Sequence, residues 1–360
     1  MGARNGSWWQ PVKRHRTTIL VVAIIIIVAT ALIIVGYRLD WTGFNGNSKQ
    51  GKTLWDWLQL LIIPFVLAIG GYLFNLTVSR NERKAAANRD KTERDIALDN
   101  QQEATLQEYI NKMSELLLDV HRPLRKSNED DEVQKIARVR TLTVLPRLNA
   151  SRKRSLLQFL YEARLINNDE SIIDLSDANL RDADLSSTFL CGAYLSSANL
   201  IGANLRDADL SYATLCSATM SGADLSDAVL NDAVLNDADL RGANLHGADL
   251  SDAKLCNVTM IDADLVIATM ISADLRGADL RGADLSGADL SHANLEGTDL
   301  SRASLNGADL SLAILFSANL EKADLSHANL EGARGFTPEA LEKVAKSLEG
   351  ATMPNGSIHL

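Results

Sequence analysis

Leucine or methionine occupies every fifth position through much of the C-terminal half of the chain. The series runs without a gap from Leu175 to Leu330, which makes 32 consecutive positions, and only Met220, Met260 and Met270 replace leucine. Alanine stands two residues before nearly every one of them, and Asp or Asn usually fills the place between. A repeat this long and regular constrains the fold more than any other feature of the 360 residues.

A period of five fits neither an α-helix nor a flat strand. Successive leucines would be rotated by about 140° on a helix, and they would alternate between the two faces of a strand. All of them can be buried if the chain turns a corner in each unit, with Ala and Leu pointing inward and the residues beside Leu pointing outward. Four units then close a square coil of about 20 residues, and the series predicts about eight stacked coils with a length of roughly 38 Å.

These units resemble the pentapeptide-repeat family, whose consensus is A(D/N)LXX. The resemblance covers about 171–335 and is cleanest in RGADLRGADLSGADLSHANL at 276–295. It implies a mainly β fold, the right-handed quadrilateral β-helix, whose handedness the spacing does not show. Some units depart from the consensus at the polar residue before Leu, and these departures are expected to alter only the outer surface: Phe189, Tyr194, Val229, Val234, Lys254 and Ile314.

Two uncharged runs near the N-terminus predict a transmembrane hairpin. Residues 17–37 and 57–79 contain no Asp, Glu, Lys or Arg, and a bilayer-spanning helix needs roughly 20 apolar residues. Basic clusters at 13–16 and 80–94 flank the hairpin, so both termini are expected in the cytoplasm. The alternatives are a cleaved signal peptide and a buried soluble hairpin.

The order of spans, helical middle and repeats also resembles membrane-anchored bacterial members of the family. The chain is therefore predicted to be a multi-pass protein of the bacterial inner membrane that contacts the lipid bilayer through 17–79. The predicted organisation is a basic cytoplasmic N-terminus at 1–16, the hairpin at 17–79, a helical stalk and N-terminal cap at 80–170, the β-helix at 171–335, and a capping helix with a tail at 336–360.

The helical middle carries one apolar stripe. Leu106, Ile110, Met113, Leu117 and Val120 recur at spacings of three and four, which is typical of an amphipathic helix. The stripe spans barely two heptads, so packing within the chain is favoured over a coiled coil with a second copy.

Both open ends of the predicted stack need caps, because unpaired backbone groups and apolar side chains would otherwise be exposed. Residues 151–166 are expected to cover the first coil. After the last unit, Thr337 and Pro338 predict the start of a capping helix, which is expected to run to about Leu348 and to end at Gly350.

Nothing in the array predicts catalysis. Cys216 and Cys256 share a column but lie two coils apart, about 9.6 Å, which is too far for a disulfide. His246 and His327 share a side but lie four coils apart, roughly 19 Å. The repeat also lacks the glycine-dense nonapeptide of calcium-binding β-helices. We therefore expect no enzymatic activity, no cofactor and no metal site.

The outer surface offers two candidate faces. Residues 171–335 contain 25 acidic and 9 basic residues, a net charge of −16. A predicted acidic face should attract cations or a basic partner, and it consists of Asp184, Asp224, Asp264, Asp284 and Asp324. A predicted interaction face could dock a protein or a second copy, although scattered apolar residues are normal on surfaces, and it consists of Tyr194, Thr214, Val234, Ile314 and Phe316.

The sequence thus favours a non-enzymatic, membrane-tethered scaffold that binds protein partners, with basic proteins and a second copy as candidate partner classes. The alternative comes from the family resemblance, because some pentapeptide-repeat proteins resemble duplex DNA in width and charge and inhibit or protect DNA gyrase. Direct nucleic-acid binding is not expected of an array that is itself strongly acidic.

Overall fold

A computed structural model describes residues 30–31, 34, 54–119, 124–127, 131–166 and 171–360. Its helices of four residues or more from Leu54 onward are α1 (Leu54–Leu118), α2 (Glu132–Val144), α3 (Ala150–Glu162) and α4 (Pro338–Val344). Two short 3-10 turns, Leu124–Lys126 and Leu145–Arg147, lie between the helices of the middle region. The chain divides into two compact units, Met1–Arg94 and Asp95–Leu360, and the second unit holds all of the repeats.

The structure describes only part of the predicted membrane hairpin. The first predicted span, 17–37, falls almost wholly outside the described residues, and in the second span so do the side chains of 57–63 and of residue 66. In the part of the chain that the structure describes, no helix has both the length and the apolar character needed to cross a membrane.

The repeats wind into coils of 20 residues. From Asn179↔Asn199 to Ile314↔Arg334, each parallel β-bridge joins a residue to its counterpart 20 positions later. Two hydrogen bonds hold each bridge: Leu185 N–H, for example, donates to the carbonyl of Asn204 at 2.7 Å, and Asn204 N–H donates to the carbonyl of Ala183 at 2.9 Å. The Ala and Leu of each unit are buried in one continuous core, as the period of five predicts.

Every corner of the coil requires a left-handed residue. The residue two positions after each central Leu has φ between 52° and 69° along the array, as at Asp182, Gly282 and Gly332. Glycine, Asp and Asn tolerate this region best, whereas β-branched residues are strained there. The array therefore turns at positions that the leucine period marks but whose residue type varies.

Ile267 occupies one of these corners, with φ of 54° and about half of its side chain exposed. Replacing Ile267 by glycine is expected to raise the free energy of unfolding by about 0.5–1 kcal/mol. Relief of the left-handed strain, roughly 1–2 kcal/mol, exceeds the chain-entropy cost of glycine, roughly 0.5–1 kcal/mol, and little burial is lost. Urea unfolding followed by circular dichroism measures the change.

The matched control for this prediction is Ile271→Gly. Ile271 is also partly exposed, but its φ is not positive, so glycine there should lower stability by roughly 0.5–1 kcal/mol through chain entropy. A destabilised Ile267→Gly variant would contradict the assignment of strain to this corner.

The helices before the array pack against it and against one another. Leu106, Tyr109 and Met113 of α1 are buried, and Ile110 and Leu117 pack against the same core. This confirms that the apolar stripe packs within the chain, while Val120 lies outside the described residues. In α3, the N-cap Asn149 accepts a hydrogen bond from Arg152 N–H, and Leu156, Leu157 and Leu160 face the core.

Three cationic side chains close the first coil. In the coils that follow, the carbonyl after each central Leu accepts a backbone N–H from the preceding coil, as Ser196 does from Asp177. The first coil has no preceding coil. Side chains replace the missing donors: Arg138 of α2 donates to the carbonyls of Asp174 and Ser176, Lys153 of α3 to that of Arg181, and Arg154 of α3 to that of Ser186.

The last coil is closed by the chain's own backbone, and the predicted helix to Leu348 is wrong. Helix α4 ends at Val344, and its C-cap Ala345 is extended. The reason is that the last coil still has backbone groups to pair. Leu325 N–H donates to the carbonyl of Ser347 and Leu330 N–H to that of Thr352, so 346–353 forms part of a ninth coil. An antiparallel bridge between Thr352 and Ile358 then covers this edge.

Candidate interaction surfaces

The square coil has four sides, which are defined by their central residues. The first side is centred on Leu175, Leu195 and so on to Leu315; the second, third and fourth sides follow at offsets of five, ten and fifteen residues, beginning at Leu180, Leu185 and Leu190. Each side presents the residue before its central Leu and the two residues after it. Bridge partners on one side lie about 4.8 Å apart along the stack.

On the first side, the predicted interaction face divides into two groups. Tyr194, Thr214 and Val234 are successive bridge partners, so they form one short strip. Ile314 and Phe316 lie near the other end, because three polar residues come between the groups in the same column: Lys254, Asp274 and Asn294. The five predicted residues therefore do not form one continuous patch.

The third side holds the predicted acidic face, but amides separate Asp184, Asp224 and Asp264 from one another. Asn204 donates to Asp184 at 3.2 Å and Asn244 donates to Asp224 at 3.0 Å, each from the next coil. Among the five aspartates, only Asp264 and Asp284 are direct bridge partners. This alternation turns a column that would repel itself into a hydrogen-bonded ladder.

Cations from outside the repeats pair with both ends of this acidic face. Arg154 of α3 lies 3.0 Å from Asp184, and Lys346 of the tail lies 2.9 Å from Asp324. Hydrogen bonds from Ser326 and then from Lys346 hold the pKa of Asp324 below its ordinary value. Less of this side's negative charge is thus available to a partner than the sequence indicates.

The second side is nearly neutral because Arg and Asp pair within single units. Arg281 lies 2.7 Å from Asp279, and Arg241 makes the same pair with Asp239. The hydrogen bond from Arg281 holds the pKa of Asp279 below its ordinary value. These exposed pairs contribute little to stability, but they remove unpaired charge from this side.

Two surface residues that the sequence reasoning missed are Tyr212 and Leu312. Both stand at left-handed corners between the fourth and first sides, and each is more than half exposed. The available signal was a large apolar residue two positions after a central Leu, where the array mostly has Gly, Ser or Asp. Tyr212 is close in sequence to Thr214, so the strip of Tyr194, Thr214 and Val234 continues around this corner.

The N-terminal end of the array carries two clefts. One has a volume of about 600 Å³ and is lined by Gln134, Lys135, Arg138, Ser171, Ile172, Asp174, Ser176 and Tyr194. The other has about 290 Å³ and is lined by Arg154, Gln158, Tyr161, Glu162, Ser186, Ser187, Thr188 and Phe189. Among the described residues, no group of three or more His, Cys, Asp or Glu side chains is arranged to hold a metal ion.

The repeats match a known family of proteins. A family model for pentapeptide repeats matches eight copies over residues 173–211, 208–247, 233–270, 248–287, 263–302 and 293–332. No curated protein matches the chain.

Among solved structures, HetL, a pentapeptide repeat protein involved in heterocyst differentiation regulation from the cyanobacterium Nostoc sp. strain PCC 7120, is 37% identical over 57% of this chain and 98% of HetL, with a TM-score of 0.30. A pentapeptide repeat protein from the Arabidopsis thaliana thylakoid lumen is 33% identical over 33% of this chain and 85% of its own, with a TM-score of 0.27. QnrB1, a plasmid-mediated fluoroquinolone resistance protein, is 19% identical over 46% of this chain and 85% of its own, with a TM-score of 0.29. The matched repeats, together with the 37% identity across nearly all of HetL, show that this chain belongs to the pentapeptide repeat family, whose proteins fold as right-handed β-helices and are generally non-catalytic interaction proteins.

Proposed function

We propose that this protein is a rigid scaffold that binds a protein partner along the sides of its array. The observation that supports this most directly is the closure of both ends. Side chains of α2 and α3 occupy the carbonyls of the first coil, and the tail pairs with the last coil. Because strand addition needs an unpaired edge, a partner would bind through outward side chains on the four sides.

The scaffold is further proposed to be tethered to a bacterial inner membrane through 17–79, with both termini in the cytoplasm. The support is the pair of uncharged runs and the basic clusters that flank them. Cell fractionation tests the tether: the full chain should stay in the membrane pellet after a carbonate wash, and a variant with three added arginines in each run should not. Complete extraction of the unaltered chain by carbonate would contradict the proposed tether, but it would not contradict the proposed scaffold.

A capture experiment tests the scaffold and the first-side strip together. The purified full chain should retain a protein partner from extracts of its own cells, and the double variant Tyr194→Asp with Val234→Asp should lose most of that partner. Both positions precede a central Leu, where Asp is the commonest residue, so the variant should fold.

The matched control for this capture is Thr219→Asp with Thr259→Asp, which changes the same repeat position on the second side. It should retain the partner. Equal loss of the partner in both variants would mean that binding depends on net charge. If the unaltered chain retains no partner, the scaffold proposal is contradicted.

Mimicry of DNA is a second candidate, and the net charge of −16 over 171–335 favours it. A gyrase supercoiling assay separates the two functions. Inhibition or protection that falls steeply with salt would support mimicry, whereas unchanged supercoiling beside retained partner capture would support the scaffold alone.

A further inference from the structure

The fourth side differs from the other three in its charge. Its outward positions contain no Lys or Arg, and they carry seven acidic residues: Asp209, Asp232, Asp249, Asp252, Asp289, Asp309 and Glu331. Within the described residues, none of these seven makes a salt bridge, whereas ion pairs occur on each of the other sides, such as Arg276–Asp274, Arg281–Asp279 and Arg206–Asp227. The unpaired negative charge of the array is therefore concentrated on this side.

Apolar side chains alternate with these carboxylates. Phe189, Asp209, Val229 and Asp249 are successive bridge partners. Phe189 is about half exposed and stacks on Tyr161 of α3, with ring centroids 5.3 Å apart. Isolated apolar residues on a surface need no explanation, but here they alternate with unpaired acids along one column.

The neighbouring corner also places an apolar side chain next to aspartates that make no salt bridge among the described residues. Tyr212 is 60% exposed, and Asp232 and Asp252 follow it in the same corner column. The nearby charge of Asp232 raises the pKa of Tyr212 above its ordinary value. Aromatic residues of this kind are enriched where proteins bind one another.

The spacing of the column indicates what can lie on it. A helix that runs along the stack advances about 5.4 Å per turn, and the coils are about 4.8 Å apart. Over the three steps from Phe189 to Asp249 the mismatch is only about 2 Å, which flexible side chains can absorb. An extended strand along the same line would present one face every 6.8 Å or so and would fall out of step.

We propose that the fourth side, between Phe189 and Asp252, docks a basic amphipathic helix of a partner protein, with apolar and Lys or Arg side chains on alternate turns. This deepens the proposed scaffold function and rests on it. The apolar turns of the helix contact Phe189, Tyr212 and Val229, and its cations pair with the aspartates between them. Nucleic acid is disfavoured on this surface because its phosphates would face unpaired carboxylates.

Binding of a synthetic peptide tests the docking surface. The probe is a fluorescein-labelled helical peptide with Leu and Lys on alternate turns, added to the purified full chain. The fourth-side variant replaces four aspartates by asparagine: Asp209, Asp232, Asp249 and Asp252. Its Kd for the peptide should rise by about tenfold, measured by fluorescence anisotropy.

A third-side variant provides the matched control, with Asp207, Asp224, Asp227 and Asp264 replaced by asparagine. Each set contains two residues before a central Leu and two at left-handed corners, so the net charge and the kinds of backbone position change equally. The third-side set also loses the exposed pairs of Arg206 with Asp207 and Asp227, which contribute little to stability. Asparagine suits both positions: Asn199 and Asn204 already accept the same turn hydrogen bonds, and Asn257 already has a positive φ. The third-side variant should change the Kd by less than about twofold.

The apolar contribution is tested without changing charge, by Tyr212→Ser with Val229→Thr. Ser217 and Thr219 already occupy the equivalent repeat positions, so the array should remain folded. The Kd should rise by about fivefold, and the loss should persist at high salt because apolar contacts are not screened.

Three results would overturn the docking surface: no peptide binding by the unaltered chain, equal losses in the third- and fourth-side variants, or no loss in the apolar variant. Capture of the cellular partner separates failure of the proposed scaffold from failure of the docking surface. If the fourth-side variant still captures the cellular partner, the scaffold stands and this surface is not its docking site. If the peptide binds as expected but the unaltered chain captures no protein, the surface stands and the scaffold does not.

Discussion

Replacing Gly335 by alanine is expected to lower the stability of the C-terminal end of the array by about 3 kcal/mol. Gly335 has φ of 117°, and a Cβ built there would lie 2.5 Å from the carbonyl carbon of Leu315 and 2.6 Å from the backbone nitrogen of Phe316. Neither backbone atom can move without disturbing the bridge between Ile314 and Arg334. The turn that leads into α4 is therefore open only to glycine.

Hydrogen–deuterium exchange gives the most direct measurement, because repeat arrays need not unfold as one unit. Exchange should accelerate at Leu325 and Leu330, whose N–H groups donate to the tail, and stay unchanged in the first coils. Gly297→Ala is the control. Gly297 has a similar left-handed φ of 68°, but open space surrounds its Cβ position, so only the strain of about 1 kcal/mol remains. Equal effects of the two substitutions would contradict the steric argument.

Replacing Lys153 by methionine is expected to destabilise the N-terminal end by about 2 kcal/mol. Lys153 is buried, and its ammonium group donates to the carbonyl of Arg181 at 2.6 Å. Methionine retains most of the apolar stem but leaves that carbonyl without the donor that a preceding coil would supply. Desolvation lowers the pKa of Lys153, with Asp182 acting in the opposite direction, so the charged donor already carries a burial cost that its hydrogen bond offsets.

Urea unfolding and exchange at the first coil measure the effect of this change. Gln158→Met introduces the same side chain at an exposed position of the same helix and should change stability by less than about 0.5 kcal/mol. If Lys153→Met leaves the stability unchanged, the carbonyl of Arg181 accepts a hydrogen bond from water instead. The cationic closure of the first coil would then be unnecessary.

The coil itself could be predicted from particular residues. An unbroken column of Leu and Met with Ala two positions earlier leaves only one way to bury every member, so the 20-residue turn and the buried positions follow directly. The helix at Thr337 and Pro338 was also readable, because the Thr337 side chain caps it and Pro338 fits its first turn. The end of this helix could not be predicted from the sequence. The helix ends at Val344 because the residues after it form backbone hydrogen bonds with the last coil.

The surfaces were only partly predictable. Sorting residues by their place in the 20-residue coil put Asp184 and Asp324 on one side correctly, but their partners, Arg154 and Lys346, come from segments outside the repeat. The sequence does not single out the fourth side, because the distinguishing property of that side is the lack of such pairs. That property appears only once every ion pair of the described residues is in place.

The sequence alone determined how each coil pairs with the next, because every unit meets its neighbour at a fixed offset along the chain and the same five-residue pattern is repeated at each step. The tertiary structure decided how the array begins and ends and where its charge remains unpaired. Those outcomes depend on single contacts, such as Arg138 with Ser176 or Thr352 with Leu330. Such contacts join segments that share no period with the repeat, so no spacing in the sequence encodes them.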